Sequence, residues 1–368
     1  MSFEPTAEFW SGKRVLVTGH TGFKGAWLTC LLHELGADVC GYSLAPETSP
    51  SAFDAMEIAE ICEHHIGDIR DLAKMKEVFQ AFEPEVVLHL AAQPLVRLSY
   101  DIPLETFDVN VIGTANVLEA CRGLKSLSAA VMITTDKCYE NREWDWSYRE
   151  TDPLGGKDPY SASKACSEIV TSAYRDSFFP TKRFDEHGVV IASARAGNVF
   201  GGGDWAKDRL IPDCIRAFTA GEEVELRMPH AVRPWQHVAD ALTGYLTLAR
   251  ACVERGVEFA RGWNFGPPAE QLLTTEELVR LTAEAWGEDA SYRCNPPADA
   301  PPEAGLLLLD SGLAARSLKW RPQLSMEAGI GQTVAWHKAH ADNADAATLR
   351  ALATSATLSP RQTTLKAA

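Results

Sequence analysis

The sequence predicts an α/β fold built on a doubly wound parallel sheet, followed by a smaller, loop-rich C-terminal lobe. Short β-branched and apolar runs alternate with helix-spaced segments up to Ala196, a pattern typical of parallel strands joined by right-handed helical crossovers. A glycine-rich turn joins the first strand to the first helix. Beyond Ala196 the alternation gives way to Gly-, Pro- and Trp-rich segments with short helical stretches.

The predicted elements follow one another regularly along the chain. Continuous apolar runs predict buried strands at 13–18, 37–43, 62–66, 85–90, 128–135 and 188–194. Helical spacing predicts helices from the glycine turn to Leu35 and at 71–82, 104–121 and 159–178. Shorter helices are expected at about 210–219, 238–254, 275–286 and 326–340.

The chain is therefore divided into three parts. Residues 1–196 are expected to form the sheet domain. Residues 197–341 are expected to form mainly the smaller lobe, with some segments returning to the sheet. Residues 342–368 are rich in Ala and Thr with little large apolar content, which predicts a mobile tail or a weak terminal helix.

Composition excludes several classes of protein. The 368-residue chain has a formal net charge of −15, and because nucleic-acid binders present basic surfaces, that class is disfavoured. The chain has no run of eighteen or more apolar residues, so no membrane span is expected. Its first ten residues are acidic, so no secretory signal is expected. Its nine Cys lack a metal-ligand spacing, which predicts reduced, buried thiols in the cytoplasm and no metal site.

Gly19, Gly22 and Gly25 predict a dinucleotide site. They follow a strand and open a helix, and small residues there let the backbone approach a pyrophosphate at a helix N-terminus. The second strand ends without a carboxylate or a basic residue, so that position leaves NAD or NADP open. Asp68, after the third strand, is a candidate for the adenine edge. Lys24, inside the turn, either pairs with a phosphate or lies in solvent.

Two short segments carry the predicted chemistry. Tyr160 and Lys164 are one helical turn apart and share a face, which places an ammonium beside a phenol. We expect this charge to lower the pKa of Tyr160, so that the phenolate can take a proton from a hydroxyl group. Asp136 and Lys137 add an acid and a base beyond what alcohol oxidation requires. This surplus indicates a second proton-transfer step.

Together these motifs resemble the extended short-chain dehydrogenase/reductase family over roughly residues 13–340. The resemblance is carried by the glycine turn, Leu90-Ala91-Ala92-Gln93, Thr134-Thr135 and Tyr160-x-x-x-Lys164. Within the family, segments 135–146, 155–160, 201–205 and 233–237 look most like the CDP-glucose 4,6-dehydratase subgroup. Related dTDP- and GDP-sugar dehydratases usually have Asp-Glu at Asp136-Lys137, and UDP-sugar epimerases lack this acid/base pair.

The resemblance implies a hydro-lyase that converts CDP-D-glucose to CDP-4-dehydro-6-deoxy-D-glucose and water. Tyr160 would take the C4 hydroxyl proton while hydride passes from C4 to NAD⁺, with Thr135 bonded to the C4 oxygen and Lys164 to the nicotinamide ribose. Asp136, its pKa raised by burial, would protonate the C6 hydroxyl so that water leaves. Lys137 is either the base at C5 or a charged group that stabilises the enolate, with a water or another group as base. Hydride then returns to C6.

The resemblance also implies the binding residues. The NAD site is expected to comprise Gly19, His20, Gly22, Phe23, Lys24, Gly25, Asp68, Ile69, Leu90, Ala91, Ala92, Tyr160 and Lys164. A diphosphate in a protein this acidic needs local Arg groups, and in the substrate-binding lobe the resemblance favours Asn198 and Arg233, then Arg209. The preference for cytosine rests on the resemblance alone.

The helices at 104–121 and 159–178 resemble those of a four-helix dimer interface, so a cytoplasmic homodimer is expected. The product would serve deoxysugar biosynthesis, as for lipopolysaccharide O-antigen. Two alternatives stay open: another NAD-dependent nucleotide-sugar dehydratase or epimerase, and a non-catalytic NAD(H)-sensing protein on the same fold.

Overall fold

The computed structural model, described for residues 3–268, 271–295, 305–355 and 357–358, has a seven-stranded parallel sheet at its centre. Its strands are β1 Arg14–Thr18, β2 Asp38–Ser43, β3 Glu63–Ile66, β4 Val86–His89, β5 Ala129–Thr135, β6 Val190–Ala196 and β7 Gly262–Phe265. Their spatial order is β7-β6-β5-β4-β1-β2-β3, and all neighbours are parallel. This order confirms the predicted doubly wound α/β fold.

The helices that surround the sheet agree closely with those predicted. The α-helices are α1 Ala7–Trp10, α2 Phe23–Glu34, α3 Ala52–Ala55, α4 Leu72–Phe82, α5 Val96–Asp101, α6 Pro103–Phe107, α7 Gly113–Cys121, α8 Pro159–Phe178, α9 Phe184–His187, α10 Leu210–Ala220, α11 Val238–Arg255, α12 Thr275–Trp286, α13 Met326–Ala341 and α14 Ala346–Ser355. Short 3₁₀ helices span Ile58–Glu60, Asp136–Cys138, Thr181–Arg183 and Gly256–Phe259. π-helical turns span Asp108–Ile112 and Ala314–Leu318. None of the helices in the described ranges is both long and apolar enough to cross a membrane.

The sheet is covered on both faces, which explains its continuous apolar strands. Alternate residues of one strand enter different layers: Val15 packs in a cluster with helices α2, α11, α13 and α14, whereas Leu16 packs in a cluster with α4 and α7. The strand residues are buried in both directions. The result is a three-layer sandwich whose carboxyl edge is left to the loops.

The smaller lobe lies beyond β6 and has its own apolar clusters on α10 and α12. Three pairs of short strands brace it: Val199–Phe200 with Gln236–His237, Val232–Arg233 with Leu273–Thr274, and Val224–Leu226 with Tyr292–Cys294. Segments of this part of the chain also return to the sheet, as β7 and as the buried helix α11. The strand at β7 is absent from the sequence interpretation because Gly-Trp-Asn-Phe is short and has little β-branched character.

Two other elements differ from expectation. The predicted helix 104–121 is divided into α6, a π-helical turn at Asp108–Ile112 and α7. Of the two expectations for the last segment, a mobile tail or a weak terminal helix, residues 346–355 form a helix, and it is packed, with Leu349 and Ala353 buried against the core. Small Ala side chains let this helix lie close to α2 and α13 and therefore hid it from a search for large apolar residues. Residues 359–368 lie outside the described ranges.

Candidate active site

The predicted site residues meet at the carboxyl edge of the sheet. The glycine turn follows β1, Asp68 follows β3, Leu90 follows β4, and the segment from Thr135 to Lys137 closes β5. β1 lies between β2 and β4. From β1, strands β2 and β3 are added on one side and strands β4 to β7 on the other, so the strand order switches between β1 and β4. Ligands of doubly wound sheets bind at such a switch point.

The glycine turn has the close packing that a dinucleotide site requires. Gly19 has a φ of +80°, and a Cβ there would lie 2.7 Å from the backbone N of Ala91. A Cβ on Gly25 would lie 2.0 Å from the carbonyl oxygen of Gly19. By contrast, a Cβ on Gly22 would meet nothing nearer than that oxygen, at 3.4 Å. The turn is packed from behind and open at the N-terminus of α2, where free N–H groups suit a pyrophosphate.

His20 lies under the turn, with its side chain fully buried. Its Nε2 is 3.2 Å from Nδ1 of His64, and its ring occupies the space that Gly41 leaves, since a Cβ there would lie 2.2 Å from the ring. Burial and the neighbouring His64 and His65 lower its pKa to about 3, which keeps the ring neutral. The His20 side chain thus packs between the turn and β2, and its contact with the cofactor stays a prediction.

Lys24 is directed toward the predicted catalytic residues. Its half-buried side chain places Nζ 5.7 Å from the centre of the Tyr245 ring, within the range of a cation–π contact. Burial and the charges of Arg209 and Lys164 lower its pKa to about 7, against the opposing effect of Asp136. Lys24 therefore does not lie free in solvent but among the charged groups of the site, Arg209, Lys164 and Asp136. A contact with a phosphate stays a prediction.

The predicted adenine side is formed by the loop after β3. The carboxylate of Asp68 is held by Arg70, with Nη2 to Oδ2 at 2.6 Å and Nε to Oδ2 at 2.9 Å, and this contact lowers its pKa. Ile69 is buried against Gly113, where a Cβ would lie 2.4 Å from its Cδ1. At the end of β2, Ser43 is hydrogen-bonded to Thr21 at 2.8 Å. A contact from Asp68 to adenine stays a prediction.

Thr135 and Asp136 form a buried acid site at the end of β5. A 3₁₀ turn begins at Asp136, and the hydroxyl of Thr135 accepts from the N–H of Lys137 at 3.4 Å and donates to Oδ1 of Asp136 at 2.8 Å. The other carboxyl oxygen of Asp136 is buried with no hydrogen-bond partner within the described residues. Burial raises the pKa of Asp136, although Lys137, Thr135 and Arg233 oppose the shift. The group is thus suited to donate a proton from its unpartnered side.

Tyr160 and Lys164 lie one turn apart at the start of α8. Asp158 caps this helix by accepting from the N–H of Ser161 at 2.9 Å. Burial raises the pKa of Tyr160 to about 12, against a hydrogen bond with Thr135 and the charge of Arg209. The predicted fall in this pKa is therefore wrong for the chain by itself, because desolvation outweighs the nearby cations. Lys164 is buried too, and burial lowers its pKa to about 8.

Asn110 is a site residue that the sequence interpretation missed. It lies in the π-helical turn, and its side chain accepts from the N–H of Gln93 at 2.8 Å and donates to Oγ of Ser163 at 2.8 Å. Its carbonyl oxygen accepts from the hydroxyls of Thr114 and Ser167. Asn110 thereby ties the loop after β4 to α8. A buried Asn in the middle of a predicted helix was the available signal, since π-turns often mark functional sites.

The predicted substrate residues occupy different settings. Arg209 pairs with the buried Asp204 at 3.0 Å, and its charge acts on both Tyr160 and Lys24. Arg233 is buried and donates to the carbonyl oxygen of Val232 at 2.9 Å, and its charge acts on Asp136. Asn198 is half-buried after β6, where its carbonyl accepts from the N–H of Gln236. The two arginines therefore border the catalytic residues.

The structure also brings together one set of metal-ligand types. Donor atoms of Cys40, Glu63 and His65 lie within 4.8 Å of one another in the described chain. Glu63 and His65 are already joined at 2.8 Å, and burial raises the pKa of the Cys40 thiol. The thiol is therefore protonated, and the group lies on β2 and β3 rather than at the carboxyl edge. All nine cysteines are free.

The fold and the site thus define a dinucleotide-binding protein in which a buried carboxyl group, Asp136, lies near a buried tyrosine, Tyr160. The chain belongs to the GDP-mannose 4,6-dehydratase family, whose sequence model matches residues 16–333. It is 50% identical over 331 residues to the CDP-glucose 4,6-dehydratase of Salmonella typhimurium, an alignment that covers 90% of this chain and 92% of that protein. It is 27% identical over 336 residues to the dTDP-D-glucose 4,6-dehydratase of Mus musculus, covering 90% of each.

Solved structures show the same architecture. The UDP-glucose 4-epimerase of Thermus thermophilus, in complex with NAD, superposes with a TM-score of 0.73 at 27% identity, covering 88% of this chain and 99% of that one. The dTDP-glucose 4,6-dehydratase of Streptomyces venezuelae, with NAD bound, gives a TM-score of 0.74 at 24% identity, covering 88% and 97%. Epimerases and dehydratases share this fold, so the fold alone does not separate them.

Proposed function

We propose that this protein is an NAD-dependent CDP-glucose 4,6-dehydratase, a hydro-lyase that converts CDP-D-glucose to CDP-4-dehydro-6-deoxy-D-glucose and water. The observation that carries the proposal is the pairing of Tyr160 and Lys164 with a buried Asp136 whose second oxygen has no partner within the described residues. The 50% identity to the Salmonella enzyme supports the same reaction. NAD⁺, when bound, supplies the acceptor for hydride from C4 and its return to C6.

Tyr160 removes the proton from the C4 hydroxyl. The hydroxyl of Thr135 contacts both Tyr160 and Asp136, and from this position it orients the C4 oxygen of the sugar. Because burial raises the pKa of Tyr160 to about 12, the phenol needs positive charge nearby to become a base. Arg209 supplies part of this charge, and a positive nicotinamide ring would add to it. Lys164 and the open end of the glycine turn would hold the cofactor.

Asp136 gives its proton to the C6 hydroxyl, which leaves as water. The carboxyl group must be protonated for this step, and burial, which raises its pKa, favours that form. An epimerase needs no such acid, because it breaks no bond to the C6 oxygen. The acid at Asp136 therefore favours the dehydratase over the epimerase reading.

The base at C5 is either Lys137 or a group near it. Lys137 is half-buried and its charge acts on Asp136, which allows it to serve as the base or to stabilise the enolate. The structure adds a second candidate in Lys24, whose pKa of about 7 lets a large fraction be neutral at physiological pH. Substitution of each lysine in turn separates these roles.

Arg209, Arg233 and Asn198 are proposed to bind the nucleotide diphosphate. Both arginines lie beside the catalytic residues, and they offset the repulsion between a diphosphate and a chain of net charge −15. The preference for a cytidine nucleotide is supported by the identity to the Salmonella enzyme.

We also propose a homodimer formed through α6, α7 and α8. Large apolar side chains are exposed on this surface: Leu104 is 84% exposed, Ile169 56% and Ile112 50%. An apolar patch of this kind is typical of an interface between subunits. A cytoplasmic role in deoxysugar biosynthesis, such as that of lipopolysaccharide O-antigen, accords with the proposed substrate. Light scattering of the purified protein tests the dimer, and a monomeric mass would contradict it.

A substrate panel tests the reaction. The purified protein is incubated with CDP-, UDP-, GDP- and dTDP-glucose, with and without added NAD⁺, and alkali-absorbing keto-sugar is measured. We expect product from CDP-glucose well above that from the others. Product from another nucleotide sugar alone would replace the substrate assignment. Absence of product from all four would favour an NAD(H)-sensing protein.

A further inference from the structure

A buried ion pair lies directly behind the catalytic residues. The carboxylate of Glu168 accepts from Nη2 of Arg195 at 2.7 Å, and the two residues are 4% and 5% exposed. Both carboxylate oxygens have further partners: Oε1 accepts from Thr134 Oγ1 at 2.5 Å, and Oε2 also accepts from Ser193 Oγ at 2.7 Å. Arg195 keeps the pKa of Glu168 low although burial opposes ionisation. The pair is thus charged and rigidly held.

The pair reaches both ends of the catalytic turn. Thr134 immediately precedes Thr135 and Asp136 at the end of β5. At the other end, Nη1 of Arg195 donates to the hydroxyl of Tyr139 at 2.8 Å, and that hydroxyl donates to Oδ1 of Asn264 at 2.7 Å. The segment that carries Asp136 and Lys137 is therefore anchored at its start by Glu168 and at its end by Arg195.

Glu168 also belongs to the helix that carries the other catalytic pair. It lies one turn beyond Lys164 on α8, on the same helical face. Burial lowers the pKa of Lys164, and the carboxylate of Glu168 is the largest influence that raises it. The same side chain thus contacts the start of the catalytic turn and helps to keep Lys164 charged.

A contribution to the free energy of unfolding does not by itself explain the buried pair of Glu168 and Arg195. A buried ion pair rarely stabilises a fold more than apolar side chains of equal volume, because both charges must be desolvated. Its hydrogen bonds, however, specify one arrangement of the elements that they join. The pair links β5, β6, α8 and, through Tyr139, β7.

We propose that Glu168 and Arg195 are positioning residues that hold the turn of Asp136 and Lys137 at a fixed distance from Tyr160 and Lys164, so that oxidation at C4 and elimination at C5 and C6 act on one bound sugar. This inference rests on the proposed dehydratase function. Neither residue contacts the reacting atoms in this role. Each acts through the segments to which it is hydrogen-bonded.

Three hydroxyl variants test the link without adding a buried charge. Thr134→Val removes the donor to Glu168 while keeping the side-chain shape, and Thr134→Ser retains the donor. Ser193→Ala removes a second donor to the same carboxylate, but from a strand that carries none of the catalytic acids or bases. We expect Thr134→Val to lower kcat by about tenfold to a hundredfold, because small misplacements of reacting groups have effects of this size. KM for CDP-glucose should change much less.

Thr134→Ser should retain most of the kcat that Thr134→Val loses. Ser193→Ala should keep kcat near the wild-type value, although its Tm should be similar to that of Thr134→Val. Equal losses of kcat in Thr134→Val and Ser193→Ala would overturn the proposal, as would no loss in Thr134→Val. The wild type is measured in the same assay. If it forms no product from CDP-glucose, the proposed function fails, which is a different result from an active wild type with unaffected variants.

Glu168→Gln tests the link between this carboxylate and Lys164, which lies one turn before it on α8. Removal of the carboxylate charge should lower the pKa of Lys164, so the alkaline limb of the kcat–pH profile should move to lower pH by about one unit. An unchanged alkaline limb would contradict the proposal. If Glu168→Gln does not fold, because it leaves Arg195 without a counter-charge, the double variant Glu168→Gln/Arg195→Met removes both charges and carries the same pH test.

Discussion

Replacement of Asp136 by Asn separates the two halves of the proposed reaction. The amide has nearly the volume of the carboxyl group and keeps an acceptor for the hydroxyl of Thr135, now at 2.8 Å from Oδ1. It cannot, however, deliver a proton to the C6 oxygen. We therefore expect oxidation at C4 to survive and elimination of water to fail.

The expected loss follows from the role of a general acid. Such a group accelerates its step by about 10²- to 10⁴-fold, which corresponds to about 3 to 5.5 kcal/mol of transition-state stabilisation. Asp136 is buried, and its second carboxyl oxygen lacks a hydrogen-bond partner within the described residues. No described side chain is therefore hydrogen-bonded to that oxygen and able to donate a proton in its place. We expect kcat to fall within this range while KM changes little.

The raised pKa of Asp136 adds a prediction for stability with a definite sign. The folded protein holds this proton more tightly than the unfolded chain does, so the contribution to stability is present at low pH. It is lost as pH rises through the raised pKa and the buried group ionises. Asn carries no such charge, so Asp136→Asn should have a Tm at neutral pH at least as high as that of the wild type. The alkaline loss of kcat attributable to Asp136 should also disappear.

The assay uses CDP-glucose labelled with deuterium at C4. In the wild type the label should appear at C6 of the same molecule. In Asp136→Asn the label should leave C4 and NADH should accumulate on the protein, with no label at C6. Wild-type-like turnover in this variant would refute the role of Asp136, and absence of NADH formation would show that Asp136 serves the oxidation step instead.

The remaining predictions concern three other features. If Lys137 is the base, Lys137→Met should bind CDP-glucose normally but slow exchange of the C5 proton with solvent by about 10²-fold or more. If exchange is retained in Lys137→Met and lost in Lys24→Met, the base is Lys24. Gly25→Ala should lower Tm and NAD affinity, because its Cβ would lie 2.0 Å from a backbone oxygen. Gly22→Ala has 3.4 Å of space and should keep Tm while weakening NAD binding, measured by titration calorimetry. An unchanged NAD affinity in Gly22→Ala would contradict the proposed pyrophosphate position. Leu104→Glu should give a monomer by light scattering, since this side chain is 84% exposed on the proposed interface, and a persistent dimer would relocate the interface.

Most of the sheet could be predicted because its strands are buried on both faces. Continuous apolar runs such as residues 129–133 identify a strand without any knowledge of its neighbours. The strand order required more than local pattern, and β7 was missed because its pairing with β6 at long range stabilises a segment with little strand character. The turn at Asp108–Ile112 was missed for a similar reason, since helical periodicity does not distinguish a π-helical turn from the helix around it.

The site was predictable where chemistry depends on residue type and spacing. Asp136 and Tyr160 are predicted in this way, and the expected rise in the pKa of Asp136 agrees with its burial. The pKa of Tyr160 was misjudged, because spacing along a helix reveals the nearby Lys164 but not the depth of burial or the approach of Arg209 from another lobe. Asn110, Glu168 and Arg195 escaped for the same physical reason: their partners are distant in sequence.

The large apolar cluster that runs from Phe3 to Leu358 has a consequence for how the protein can be divided or remodelled. Side chains of α2, α11 and α14 pack into one continuous interior, and the indole of Trp27 donates to the carbonyl of Gly202 at 2.7 Å. A fragment that ends near residue 196 would lose α11, α13 and α14, which cover one face of the sheet together with α2. The chain should therefore melt in a single transition, and changes of nucleotide specificity are better sought by exchanging loops at the sheet edge than by exchanging lobes.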